Sequence, residues 1–420
     1  MKKILLIDNT AHHLYTQAHL YRNFATHGYK IILCCPDDKN YFKKMQGAGY
    51  ECHHVPIAGK GINPISEVML IWRLRKLFKH LNPDIILSFT IKPNIYSALI
   101  GRVLKTPVVP NVTGLGYVFM QHGVLTRIVV ALYKIAFKKL KYVIFQNQDD
   151  MHLLENYGIF SRRTKQINLP GDGVDVNKFY SSSTSLASLI QLPGSGVDLE
   201  MFKNKDNKDN KDNKDNKDNK DNKDNKDNKD NKDNKGNKGN TFLYSGRLLW
   251  DKGIAELIEA FKIVKLKYPK TKLKFIGNYY PENPSAITEN QMELWQKNLG
   301  LEYLGMVDNV SEVVAVADCA VLPSYREGMP RAIIEASSMG KCVITTNVPG
   351  CKDTVEDGIT GFLCKVKDAP DLADKMIKFI ELPRTERIKM GVAGRAKMER
   401  EFDQKIVINK YLEIVDSILK

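Results

Sequence analysis

The chain is expected to be α/β, with two doubly wound, Rossmann-like domains facing across a cleft and a disordered low-complexity insertion between them. Three observations lead there. Short apolar runs alternate with helix-length segments over residues 1–150, and the alternation restarts after residue 240, the pattern of parallel sheets wrapped by helices. Residues 205–240 between them are ten KDN and two KGN triplets. Finally, residues 323–340, PSYREGMPRAIIEASSMG, read as a strand end, a loop and a helix start with a glutamate on either side.

In the first stretch the runs at 4–7, 31–35, 85–89, 108–112 and 142–145 are short, β-branched or aromatic, and bounded by Asp, Pro or Gly. Each predicts a buried strand. Between them residues 67–80 carry Val68, Ile71, Trp72 and Phe78 on one stripe of a predicted helix. Residues 125–141, LTRIVVALYKIAFKKLK, join an apolar surface to Arg127, Lys134, Lys138, Lys139 and Lys141. Such a helix can pack on a sheet and leave a solvated basic edge. It can also meet an anionic membrane surface, where each cation contributes on the order of 1 kcal/mol.

Residues 167–179, INLPGDGVDVNKF, recur as 190–202, IQLPGSGVDLEMF, with eight of thirteen positions identical. This is a local duplication, since a repeat fold needs three or more copies. Only one copy can fill a given structural niche. The triplets that follow offer nothing to bury, and their alternating charges stay hydrated, so a disordered linker is expected. As a flexible coil, 36 residues would span roughly 30 to 36 Å between ends.

In the second stretch strands are expected at 241–244, 273–276, 301–304, 319–322 and 343–345, with a helix at 254–264. Within 323–340, Pro330 falls where a first helical turn accepts proline and Gly340 where a helix stops. The expected division is 1–180 for the first domain, 181–240 for the duplicated hinge segment and linker, 241–403 for the second domain, and 404–420 for a closing helix that packs back on the first domain.

The charge of +15 implies attraction to something anionic. The triplet tract accounts for only +2 of it, so the folded parts carry the excess. Seven scattered cysteines without a CxxC pair fit neither a disulfide framework nor a zinc site and point to a reducing compartment. The opening MKKILLID is too short in apolar residues for a signal peptide and reads as a first strand. No run reaches the roughly 18 apolar residues of a membrane span.

Two segments can do chemistry. In GRLLWDKG, residues 246–253, Gly246 lets the backbone turn after a strand, and Arg247 and Lys252 can bind a diphosphate, one by a planar fork and the other as a point charge. In 323–340, a helix N-terminus attracts phosphate, and Glu327 and Glu335 can accept hydrogen bonds from sugar hydroxyls.

Together these segments resemble the family-4 retaining glycosyltransferases of GT-B fold, whose signature is two glutamates separated by seven residues. FTIKPNIYSALIGR (89–102) and NVTGLGYVF (111–119) are similar to the subgroup that builds surface polysaccharides and undecaprenyl-diphosphate-linked oligosaccharides, N-acetylgalactosaminyltransferases among them. The resemblance implies that a sugar, expected to be an N-acetylhexosamine, moves from a UDP-sugar to a lipid-diphosphate-linked saccharide with retained configuration. Glu327, Arg247 and Lys252 would be catalytic. Gly246, Gly328, Met329, Pro330, Arg331 and Glu335 would bind the donor, Glu327 the sugar and Glu335 the ribose. Lys92, Thr113, Gly114 and Gly116 would bind the acceptor. No metal, further cofactor or nucleic acid is expected, and the enzyme would work in the cytoplasm, peripherally at the inner face of the cell membrane.

A first-domain histidine near the reacting sugar is also implied; His12, His13 and His122 are candidates. The family's glycine-rich loop after the first strand is absent, because residues 8–15 read DNTAHHLY. Both copies of GxGVD are candidates for the working hinge. A nucleotide-sugar epimerase on a similar scaffold is the alternative within enzymes. A basic nucleic-acid-binding protein is the alternative outside them, although the sequence shows no recognition-helix motif.

Overall fold

The computed structural model describes residues 1–57, 64–116, 119, 123–179, 239–281, 283–307 and 309–419. The serine-rich piece, the second GxGVD copy and the triplet tract up to residue 238 lie outside these, as does His122.

The first sheet contains β1 (Lys3–Ile7), β2 (Lys30–Cys35), β3 (Glu51–His54), β4 (Ile85–Phe89), β5 (Val108–Val112), β6 (Tyr142–Phe145) and β7 (Lys165–Asn168). Its order is β3-β2-β1-β4-β5-β6-β7, and every described pairing is parallel. The second sheet contains β8 (Thr241–Ser245), β9 (Lys272–Ile276), β10 (Glu302–Tyr303), β11 (Cys319–Leu322), β12 (Cys342–Thr346) and β13 (Gly361–Cys364), in parallel order β10-β9-β8-β11-β12-β13. Strand order reverses between β1 and β4 and again between β8 and β11. In sheets of this kind ligands bind at the carboxyl ends of the strands flanking such a reversal. Both functional segments of the second domain leave those strands: GRLLWDKG follows β8, and PSYREGMP follows β11.

The central strands are buried on both faces, as covered parallel strands are. Residues of β4, β5 and β6 are all buried, as are those of β11 and β12. The expected helices at 67–80 and 125–141 run as Pro64–Leu81 and Val124–Phe137. Pro330 differs from expectation by one position. It is the N-cap of the helix Arg331–Ser338, with extended backbone, because its ring fixes φ but the carbonyl already accepts the first bond, from Ile333.

The two domains are joined by adjacent chain crossings. The first GxGVD copy carries the outward one, where Val174 donates its N–H to Phe402 O and accepts from Gln404 N, both at 2.9 Å. Gly173 is required there: with φ +71°, a Cβ would stand 2.6 Å from Gln404 Cα. Val174, Val176 and Phe179 then enter the second domain's core. On the return crossing, helix Gln404–Leu419 packs Val407, Tyr411, Ile414 and Val415 into the first domain's core.

Asn240 belongs with the second domain rather than with the triplets. Its backbone carbonyl accepts from Lys272 N at 2.8 Å, and its side chain accepts from Arg387 Nη1 at 2.5 Å. Deleting residues 205–238 is therefore expected to leave the second domain's melting transition unchanged, whereas extending the cut through Asn240 should lower it. Calorimetry on the two deletions distinguishes them.

Candidate active site between the two sheets

Lys252 and Glu327 form the centre of the second-domain site. Lys252 ends a single 3-10 turn, Trp250–Lys252, that Gly253 closes in the left-handed conformation. Gly253 is obligatory, since a Cβ there would meet Pro323 O at 1.9 Å. The close approach brings the turn against the loop after β11, and Tyr325 N donates to Asp251 O at 3.0 Å. Lys252 Nζ consequently lies 2.6 Å from Glu327 Oε1, with both side chains largely withdrawn from solvent. Arg247 is placed differently. It is exposed, its guanidinium 5.9 Å from the Tyr280 ring centroid, while its carbonyl accepts from Tyr244 Oη at 2.7 Å.

The helix Arg331–Ser338 starts without a side-chain cap, so the N–H groups of Arg331 and Ala332 precede the first intrahelical bond and are available to an anion. Glu335 is buried and accepts from Arg331 Nε at 2.7 Å. Arg331 also reaches into the first domain, donating from Nη1 to Thr16 O at 3.3 Å.

That is one of several contacts between domains. Gly328 rests against the loop after β5: a Cβ on it would fall 1.7 Å from Thr113 O, and one on Gly114 would fall 3.2 Å from Gly328 Cα. Asn147 Nδ2 donates to Gly328 O at 2.8 Å. Met329 sits against Gly171, where a Cβ would meet its side chain at 2.8 Å. Arg326 pairs with the fully buried Asp150, and Lys352 with Asp149 at 2.9 Å. Burial pushes Asp150 above the usual carboxylate range, against the opposing pull of the Arg326 guanidinium.

Of the acceptor-side candidates, Thr113 and Gly114 are thus at the junction, Thr113 through its backbone. Gly116 is exposed with φ +58° and has open space around it. Lys92 is engaged by a carboxylate of its own domain. Its Nζ is 2.6 Å from Glu67 Oε1, and Glu67 also accepts from Tyr96 Oη at 2.5 Å.

Among the histidines, His13 stands out. Its Nδ1 is 2.5 Å from Asp8 Oδ2 and its Nε2 3.3 Å from Asp172 Oδ2. Thr10 caps the short helix carrying it by accepting from His13 N, and Gln146 Nε2 holds Asp172 at 3.1 Å. Burial alone would lower the imidazolium's pKa. The two carboxylates outweigh it and hold the group well above the ordinary histidine value. His12, which meets Tyr41 instead, is pushed down by burial and by the cations of His13 and Arg331. The stability contributed by protonated His13 is complete below about pH 6.5 and is lost as pH rises through its raised folded value. Thermal midpoints measured from neutral to alkaline pH should fall in the wild type and fall less in His13→Gln.

Neither Asp150 nor Asp172 was expected as a site residue. Asp172 was visible only as the variable position of GDGVD, and Asp150 as one of two aspartates opening a helix.

Two sheets thus meet at their carboxyl edges, with a cation–carboxylate pair and an uncapped helix start at the junction, an arrangement able to receive an anionic ligand between domains. Two family models make the class specific: "Glycosyl transferase 4-like" matches residues 3–147 and "Glycosyl transferases group 1" matches residues 225–397. The chain is a glycosyltransferase of this family, with the GT-B fold. It is 25% identical to the N,N'-diacetylbacillosaminyl-diphospho-undecaprenol alpha-1,3-N-acetylgalactosaminyltransferase of Campylobacter jejuni, over 93% of this chain and 92% of that one. It is 34% identical to the capsular polysaccharide biosynthesis glycosyltransferase CapM of Staphylococcus aureus, over 42% of this chain and 46% of CapM. In structure it is similar to Anabaena HepE, solved with UDP and glucose (TM-score 0.70, 17% identity, covering 99% and 100% of the chains). It is also similar to sucrose-phosphate synthase from Thermosynechococcus elongatus (TM-score 0.71, 18% identity, covering 100% and 99%).

Proposed function

We propose that the enzyme transfers an N-acetylhexosamine from a UDP-sugar to a lipid-diphosphate-linked saccharide, with retained anomeric configuration, in surface polysaccharide or glycan assembly at the inner face of the cell membrane. The observation that carries this reading is the similarity to the Campylobacter transferase along nearly the full length of both chains, a protein whose name specifies such a reaction.

In the proposed mechanism, breaking the sugar–phosphate bond leaves an oxocarbenium-like centre and a diphosphate. Catalysis then depends on stabilising the leaving charge. Lys252, held at a fixed position by Glu327, and Arg247 would supply cations, and the N–H groups at the start of Arg331–Ser338 would supply dipoles, without a metal. Glu327 would orient the sugar hydroxyls and Glu335 the ribose. Gly246 would let the diphosphate approach the backbone beyond β8. Gly328 is pressed against Thr113 and Gly114, so a donor held by the loop after β11 would lie beside the first domain, where the acceptor would enter. His13, between Asp8 and Asp172, would present a cation to that side.

Incubation with a panel of UDP-sugars and lipid-diphosphate saccharides, followed by mass detection, tests the reading. One N-acetylhexosamine added to the lipid product supports it, and transfer of another sugar class or to a lipid-free acceptor alone would replace it.

A further inference from the structure

Glu327 is held from both sides of the cleft. Within the second domain its N–H donates to Pro349 O at 3.2 Å, and its carboxylate pairs with Lys252. The residues on either side of it are held by the first domain. Arg326 Nη2 donates to Asp150 Oδ1, and Gly328 O accepts from Asn147 Nδ2 at 2.8 Å.

Asn147 and Asp150 open the helix Gln148–Asn156 and are tied to one another. Asn147 is the N-cap, its Oδ1 accepting from Asp150 N at 2.8 Å, and its Nδ2 also donates to Asp150 Oδ2 at 3.1 Å. Both residues are buried, at 1% and 0% exposure. The Asp150 carboxylate accepts a further bond from the backbone N–H of Leu115, in the loop after β5 that carries Thr113 and Gly114. One carboxylate therefore joins the cleft-facing loop of the first domain to the loop of the second that carries Glu327.

An ordinary ion pair between domains would also bring an aspartate to a cation, and the same helix provides one. Asp149 pairs with Lys352, both side chains more than a third exposed, and pairs of that kind contribute little and tolerate many geometries. The Arg326–Asp150 pair is different, with its side chains 18% and 0% exposed. Burial of two charges costs desolvation that their attraction barely offsets, and the best-attested use of such a pair is to fix one arrangement over others. Asn147 adds a second fixed point, so the segment 326–328 is gripped at both ends with Glu327 between.

We infer that Asn147 and Asp150 are positioning residues for transfer: by gripping Gly328 O and Arg326 they align the Glu327 carboxylate with the donor sugar when the two domains close. The inference rests on the proposed role of Glu327. Turnover lost in Glu327→Gln but kept in Asp150→Asn would overturn this inference alone, whereas turnover kept in Glu327→Gln would overturn that role.

Hydrogen–deuterium exchange with UDP bound reads the grip without turnover. The amides of 326–328 should exchange about tenfold faster in Asp150→Asn than in wild type, and at the wild-type rate in Asp149→Asn. Initial rates are then measured with the donor and acceptor that wild type turns over. Asp150→Asn and Arg326→Gln should each lower kcat about a hundredfold, the cost of misplacing a reacting group by about 1 Å. Donor KM and UDP affinity should stay within about threefold of wild type, the signature of an interaction made in the transition state. Asp150→Asn/Arg326→Gln should lose no more than either single variant, because the two act through one contact. Asn147→Ser keeps a helix cap but drops the bond to Gly328 O, and it too should lower kcat at unchanged UDP affinity. Asp149→Asn, the same change one residue away, should leave kcat within about twofold. Unchanged kcat or unchanged exchange in Asp150→Asn, losses that multiply in the double variant, or an equal loss in Asp149→Asn would each overturn the inference.

Discussion

Lys252→Met should lower turnover by roughly 10²- to 10³-fold, the effect expected on removing one fixed group that stabilises developing negative charge. It should also reduce stability. Lys252 is 7% exposed and bonded to Glu327, and breaking such a pair from one side leaves the other charge uncompensated, at a cost on the order of 3 kcal/mol. For the same reason Glu327→Ala should destabilise the second domain; Glu327→Gln keeps its shape. Lys252→Met/Glu327→Gln separates the two effects. Stability should recover toward wild type, because neither charge is left alone, while activity stays low. Calorimetry and initial rates on the three variants check this, and recovery of turnover in the double variant would show that the pair is only structural.

Gly328→Ala should be nearly inactive with both domains folded. The added methyl would fall 1.7 Å from Thr113 O, a backbone atom of the opposite domain, and 3.2 Å from Gln146 Oε1. Neither the loop after β5 nor the loop after β11 can withdraw without separating the domains, so the loss should exceed a hundredfold, on the order of the cost of misplacing reacting groups by about 1 Å. Binding of UDP should persist, since that role is proposed for the second domain alone. The informative comparison is Gly116→Ala, whose neighbourhood is open; it should strain its own turn and spare the junction. Normal turnover in Gly328→Ala would mean that the Gly328–Thr113 approach is not part of the working conformation.

The central strands were legible because burial on both faces imposes unbroken apolar runs such as IILSF and YVIF. Three strands escaped notice: Glu51–His54, Lys165–Asn168 and Gly361–Cys364. Each lies at a sheet edge; partial cover permits ECHH or KQIN in the first two, where the apolar signal fades, whereas GFLC is largely buried but only four residues long. Glu327, Glu335, Arg247 and Lys252 were readable as a constellation because they lie in two short segments of one domain. Their separate circumstances were not: pairing buries Lys252, whereas Arg247 stays in solvent. Contacts between remote segments left no local pattern, so the choice of His13 over His12 waited for Asp8 and Asp172 to be brought to it, and the pairing of Lys92 with Glu67 was not readable. The duplicated GxGVD motif shows the same limit. Both copies were candidates for the hinge, and the first makes the crossing to Phe402 and Gln404.

The proposed transfer runs with retention across the cleft between the two sheets. It is tested most directly by the anomeric configuration of the product formed from α-linked UDP-N-acetylgalactosamine and a lipid-diphosphate saccharide, read by nuclear magnetic resonance. An α-linked N-acetylgalactosamine on the acceptor is the expected result; a β-linked product, or isomerised UDP-sugar formed equally well without acceptor, would contradict it.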